Sequence, residues 1–138
     1  MDRKLELLRD VPLFSDLNSR DLAELGGLVD EVDVSAGKVL CQEGSRGDEF
    51  FVIVDGNVRV ERQGRELAVL GPGQFLGEVA LVDEGPRTAT ATATTDGHLL
   101  VIGHREFHSL MDRFPSIETC VLRSLARRVR ELDPDSAY

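Results

Sequence analysis

The stretch Gly71-Pro72-Gly73-Gln74-Phe75-Leu76-Gly77-Glu78-Val79-Ala80-Leu81-Val82-Asp83-Glu84-Gly85-Pro86-Arg87-Thr88-Ala89-Thr90 holds the chain's densest set of chemically capable residues. Two short elements separated by the acidic turn before Gly85-Pro86 can fold back so that Glu78 and Arg87 face one cavity. Small residues at Gly77, Ala80 and Ala89 let a ligand approach the backbone closely. If residues 77–81 form one helical turn, its first amides are free to bind an anion. The arginine offers a planar fork to phosphate oxygens, and a carboxylate accepts hydrogen bonds from a sugar hydroxyl. These residue types suit a sugar joined to a phosphate. On spacing alone, a Glu and an Arg nine positions apart more often form a surface ion pair of small energy.

Other chemistries find less support. Cys41 and Cys120 lie in unrelated segments without zinc spacing, and a bridge between them would be unusual in a cytoplasmic chain. His104 and His108 stand four apart on an expected helix but lack a HExxH pattern or a third histidine, so two solvated side chains are the simpler reading. His98 has no evident partner. A cupin-like metal oxygenase would need clustered His and Glu ligands at a spacing these three histidines do not supply, so no metal and no catalysis are expected.

The elements that must position this stretch fall into three zones within 138 residues, the length of one domain. Up to about Leu28, leucines at 5, 7, 8 and at 22, 25, 28 recur at helical spacing, interrupted at Pro12, with Asn18 or Ser19 as N-cap and Asp21 near the positive end. Runs at 31–34, 39–41, 50–54, 57–61, 66–70, 87–95 and 99–102 are β-rich and separated by glycine turns. Val58 and Val60 alternate with Arg59 and Glu61, and Thr alternates with Ala over 88–94, which predicts antiparallel strands in a sandwich or barrel. After Gly103 the helical period returns, with Phe107, Leu110, Met111 and Phe114 on one face and a break at Pro115. The last helix, 116–132, carries a seam of Leu122, Leu125, Val129 and Leu132, either core-facing or open to a second copy, opposite a basic face of Arg123, Arg127, Arg128 and Arg130. The expected organisation is one domain over 1–138: N-terminal helices 1–30, a β-roll 31–103, C-terminal helices 104–132 and a tail 133–138.

Sixteen Lys+Arg against 25 Asp+Glu leave a net charge of −9. That balance disfavours nucleic-acid binding, which draws its affinity from basic residues on phosphates. The longest apolar run, residues 50–54, is far short of a membrane span, and the N-terminus has no signal-peptide core, so a soluble cytoplasmic chain with no membrane partner is expected.

Gly77-Glu78-Val79-Ala80-Leu81 followed by Pro86-Arg87-Thr88-Ala89-Thr90 resembles the phosphate-binding cassette of the cyclic nucleotide-binding domains of the catabolite activator protein, kinase regulatory subunits and cyclic-nucleotide-gated channels. Val11-Pro12-Leu13-Phe14, Gln42-Glu43-Gly44, Gly47-Asp48-Glu49-Phe50-Phe51-Val52-Ile53 and Asp55-Gly56-Asn57-Val58 match as well, so the resemblance covers residues 10 to 132. It implies a mainly β fold, an antiparallel jelly roll (double-stranded β-helix) with N-terminal helices and a C-terminal helical lid.

The resemblance further implies that Arg87 pairs with the cyclic phosphate of cAMP or cGMP, completed by the Ala80 amide and by Thr88, while Glu78 and the Gly77 backbone hold the ribose 2′-hydroxyl. Val79, Phe75, Ala89 and the β-roll wall would line the apolar part. The C-terminal helix, at Leu122, Arg123, Leu125 and Ala126, would cap the base. Thr88 follows the arginine where a hydroxyl is associated with cGMP, though serine there also occurs in cAMP binders, so the motif does not specify the base. No cofactor beyond the nucleotide is implied. A helix-turn-helix is absent, so this chain alone is not expected to bind DNA. It could be the sensory half of a transcription regulator, or a ligand-free interaction module of the same fold. A homodimer or an effector would use the C-terminal helix.

Overall fold

The computed structural model describes residues 3–77 and 85–132, with side chains omitted for residues 128, 131 and 132. Its elements are α1 (Arg3–Arg9), a 3-10 turn (Pro12–Phe14), α2 (Ser19–Gly26), β1 (Val29–Val34), β2 (Val39–Cys41), β3 (Glu49–Asp55), β4 (Val58–Arg62), β5 (Arg65–Leu70), β6 (Phe75–Leu76), β7 (Thr90–Ala93), β8 (Gly97–Gly103), α3 (His104–Arg113) and α4 (Pro115–Leu132). The expected mainly β architecture with helices at both ends is the one observed.

The strands form two antiparallel sheets, ordered β1-β8-β3-β6 and β2-β7-β4-β5. β3 explains how they are stacked. Its run Phe50-Phe51-Val52-Ile53 is buried on both faces, since successive side chains of a strand point to opposite sides. Phe51 and Ile53 meet Val58, Leu70, Leu76, Ala91, Leu99 and Val101 between the sheets. Phe50 and Val52 face the helices, where Leu8, Phe14, Leu22, Leu25, Phe107 and Ile117 complete a second core. Phe50 sits between two rings, with centroids 5.3 Å from Phe75 and 4.7 Å from Phe107. Through Phe50, β6 is thereby tied to α3.

Local signals were honoured at the ends of several elements. Asn18 caps α2, its Oδ1 accepting from the Asp21 amide at 2.8 Å. Gln63 and Gly64 both take positive φ in the two-residue turn between β4 and β5, a hairpin that matches the strand twist. Pro12 opens the 3-10 turn after α1 has ended.

Four expectations need correction. β1 begins at Val29, not at residue 31, because Val29 pairs with Ile102 and is itself buried. β7 covers only Thr90–Ala93 of the expected 87–95, because the Arg87 backbone bonds outside the ladder: its N–H donates to the Ser45 carbonyl at 2.7 Å and its carbonyl accepts from Gly44 at 2.9 Å. The two-residue β6 was not anticipated at all. On α4 the core seam is Ile117, Val121 and the half-buried Leu125, an i, i+4 row packed near Leu13 and Phe14. Leu122 and Val129 are 56% and 48% exposed, and the Leu132 side chain lies outside the described residues.

Candidate functional site

Between the β4–β5–β7 side of the roll, the 3-10 turn and α4 lies a cavity of about 1450 Å³. Phe75, Gly77, Arg87, Thr88 and Ala89 all line it. Glu78, Val79 and Ala80 fall in residues 78–84, outside the described residues. Of the four residues expected on the C-terminal helix, Arg123 and Leu125 line the cavity, whereas Leu122 and Ala126 are exposed and do not. The face of α4 turned toward the cavity therefore includes Arg123 and Arg127, with Ser116, Thr119 and Cys120.

Arg87 organises the inner end. Only 6% of it is exposed, and it is the one buried charged residue among those described. Its Nη2 donates to the Glu49 carbonyl at 2.6 Å and its Nη1 to the Gly77 carbonyl at 3.3 Å, while its Cζ stands 5.8 Å from the Phe51 ring centroid. Among the described residues no carboxylate lies within ion-pair distance of it. Among the described residues the guanidinium is thus taken out of water and met by carbonyl dipoles and a ring face with no carboxylate beside it, a setting that favours an anion.

Two glycines make room for it. A Cβ on Gly77 would lie 2.7 Å from Arg87 Nη1 and 2.8 Å from the Glu49 carbonyl, and its φ of +99° is one that L side chains rarely adopt. Gly47 crowds the stem of the same arginine. The Gly47-Asp48-Glu49 stretch was visible in the sequence, but its contribution to the site was not, because nothing local shows that residue 87 crosses over it.

The wall carries further groups that sequence reasoning did not assign. Cys41 and Cys120, both free thiols, line the cavity from opposite sides. Burial pushes the Cys41 thiol above its ordinary range, partly offset by the positive charge of Arg87, and its Sγ lies 3.8 Å from the Ala89 carbonyl as a weak donor. Burial likewise raises Cys120, against the opposing charges of Arg123 and Arg127. Five arginines, at 62, 65, 87, 123 and 127, line the cavity against two carboxylates, Asp16 and Glu66, among the described residues. A chain of net charge −9 thus has a cavity whose described lining is basic. At physiological ionic strength, screening over ~8 Å leaves local arginines in control of what binds there.

Away from the cavity, the His104 and His108 rings meet edge to face with centroids 4.7 Å apart on α3. Among the described residues no group of three or more His, Cys, Asp or Glu side chains could hold a metal ion. His98, expected to be without a partner, stands between two: its Nδ1 is 2.7 Å from Asp33 and its Nε2 2.9 Å from Glu31. Both partners come from β1, which the antiparallel register lays beside β8.

Two antiparallel sheets, a glycine-framed buried arginine and a helical cover together define a β-roll with a cavity suited to a ligand. The sequence model of the cyclic nucleotide-binding domain matches residues 31–114, and the chain belongs to that family, one of regulatory binding domains. The chain is 38% identical over 102 residues to the cyclic AMP receptor protein of Thermus thermophilus, covering 70% of this chain and 47% of that protein. It is 39% identical over 127 residues to a cyclic nucleotide-gated potassium channel of Rhizobium etli, covering 91% of this chain and 36% of the channel. Among solved structures it is similar to the N-terminal domain of a transcriptional regulator from Streptomyces coelicolor, with a TM-score of 0.67 and 40% identity over 94% of this chain and 96% of that one. The chain therefore spans about a third to a half of the two curated relatives. No described helix is long and apolar enough to cross a membrane.

Proposed function

We propose that residues 1–138 form one regulatory domain that binds cAMP or cGMP in the cavity and passes its occupancy on through α4. The observation that carries this reading is the buried Arg87 guanidinium, set by carbonyls and glycines and facing no described carboxylate. It is the group to pair with the cyclic phosphate. Thr88, exposed at the cavity wall, and the amide of Ala80 would complete the cradle, and Glu78 with the Gly77 backbone would take the ribose 2′-hydroxyl. Phe75 and Ala89 line the apolar wall, which Val79 would extend. Of the candidate base-capping residues, Arg123 and Leu125 are the ones supported by their positions in the cavity lining. No step of this requires catalysis or a cofactor besides the nucleotide.

Signalling would be a population shift. A nucleotide that binds one arrangement of α4 better than another biases the helix by that difference in affinity and by no more. The exposed Leu122 and Val129 give α4 an apolar surface for a second copy or an effector to sense. Similarity over nearly the whole of a transcriptional regulator's N-terminal domain favours reading the chain as a sensory half of such a regulator, acting inside the cell. Titration calorimetry with each nucleotide tests binding, and sedimentation over a protein concentration series with and without nucleotide tests whether assembly follows occupancy. Saturable binding supports the reading, and its absence with both nucleotides favours a ligand-free interaction module.

A further inference from the structure

The Arg87 segment and the β4–β5 hairpin meet at one short turn. Glu61 and Thr90 are the last pair of the β4–β7 ladder, so residues 62–65 at the hairpin tip project past the end of β7. Arg62 and Arg65 are the last pair of the β4–β5 ladder, which leaves the Gln63 N–H outside it. That N–H donates instead to Glu43 Oε1 at 2.9 Å, across 20 residues of sequence. A bond from a backbone amide to a carboxylate is of the stronger, charge-assisted kind.

Glu43 stands in a turn that is committed to Arg87 as well. The Ser45 N–H donates to the Gln42 carbonyl at 3.0 Å, and Gly44 takes φ +83°, the positive value that a type II turn requires at its third residue. From this turn the Gly44 N–H donates to the Arg87 carbonyl at 2.9 Å, and the Ser45 carbonyl accepts from the Arg87 N–H at 2.7 Å. The Glu43 N–H donates to Thr90 Oγ1 at 3.0 Å. All three bonds end on the segment that leads from Arg87 into β7, and the Glu43 carboxylate carries the same turn across to the hairpin. Glu43 does not itself line the cavity, but the two parts it joins do: Arg62 and Arg65 on the hairpin, and Arg87, Thr88 and Ala89 on the other segment.

We infer that Glu43 is a positioning residue for the ligand site, its carboxylate latching the hairpin wall at a fixed spacing from the Arg87 segment. The inference rests on the reading of Arg87 as the cyclic-phosphate ligand. Coupling of this kind is reciprocal, so a latch that helps the ligand bind is itself stabilised when the ligand is bound. Its sign separates it from an effect of charge. Removing a negative charge near an anion site raises anion affinity by Coulomb's law, whereas losing the latch lowers it.

Glu43→Ala removes both charge and acceptor, while Glu43→Gln removes the charge and keeps an Oε1 acceptor. In calorimetry with cAMP and cGMP, Glu43→Ala should bind about fivefold or more weakly, and Glu43→Gln should match wild type within about twofold or exceed it. Amide hydrogen exchange should be faster at Gln63, Gly44 and Arg87 in free Glu43→Ala, with Leu100 in the middle of β8 unchanged. Saturating nucleotide should protect the Gln63 amide in wild type and Glu43→Gln but not in Glu43→Ala. An affinity in Glu43→Ala equal to or above wild type, or an equal fall in both variants, overturns the inference. So does exchange that quickens at Gln63 alone, with Gly44 and Arg87 keeping their wild-type rates. If neither nucleotide binds wild type, the reading of Arg87 fails and exchange in the free protein decides the latch. Faster exchange at Gly44 and Arg87 in Glu43→Ala but not in Glu43→Gln then supports it, and unchanged rates overturn it.

Discussion

The side chain of Arg87 lies against the backbone of Gly47 so closely that a Cβ at Gly47 would stand 2.5 Å from its Nε and 2.8 Å from its Cδ and Cζ. Gly47 leads into the strand whose first residue, Glu49, supplies the carbonyl that holds Nη2. One short segment thus both admits the guanidinium and anchors it. With Gly77 on the other side, the arginine occupies a slot that only glycines leave open.

Gly47→Ala should therefore disturb the site through Arg87. Either the arginine or the loop must move, and overpacking of this kind costs about 1–3 kcal/mol. Urea unfolding should report that loss, and cyclic-nucleotide affinity should fall by about tenfold or more as the fork leaves its position. Gly27→Ala is the control: its φ is −74°, its nearest neighbouring atom is 3.5 Å away, and both stability and affinity should be unchanged within about 0.5 kcal/mol.

The shifted seam of α4 predicts a sharp contrast between near neighbours. Ile117 is fully buried against the helical core, so Ile117→Ala should cost about 2–5 kcal/mol. Leu122→Ala, at a position 56% exposed, should change monomer stability by less than about 0.5 kcal/mol. Thermal unfolding of the two variants at low protein concentration checks the assignment, and equal losses would restore the seam read from the leucines.

His98 makes stability depend on pH in a known direction. Burial alone would lower its pKa, but hydrogen bonds to Asp33 and Glu31, with their charges, carry it above the ordinary histidine value. A histidine raised in the folded state contributes stability that is fully present below its unfolded pKa, about 6.5, and is lost as pH rises through the folded value. Wild type should thus lose stability relative to His98→Ala between pH 6 and 8 (approximately), and NMR titration of the imidazole should show a midpoint above about 6.5. A midpoint at or below that value would contradict the geometry.

Much of this was legible in the sequence where the determinant is local. Glycine turns and strict alternation placed the strands to within a residue or two at β2, β3, β4 and β8. The cassette spelled out Gly77, Arg87, Thr88 and Ala89, all of which line one cavity. What escaped is non-local. Arg87 leaves the β pattern because its backbone answers to Gly44 and Ser45, and His98 finds its carboxylates 65 and 67 residues away. On α4, Leu122, Leu125 and Val129 form a convincing stripe, yet the core selects the row Ile117, Val121 and Leu125 because it meets the N-terminal turn.

The most direct test is isothermal titration calorimetry with cAMP and cGMP, run in parallel on wild type and Arg87→Ala at moderate salt. A micromolar ligand corresponds to about −8.2 kcal/mol, and removing one partner of a buried charged pair costs roughly 2–5 kcal/mol. Saturable binding of at least one nucleotide, weakened about 30-fold or more in Arg87→Ala, is the predicted result. Binding of equal strength in the variant, or no binding of either nucleotide to wild type, would contradict the account.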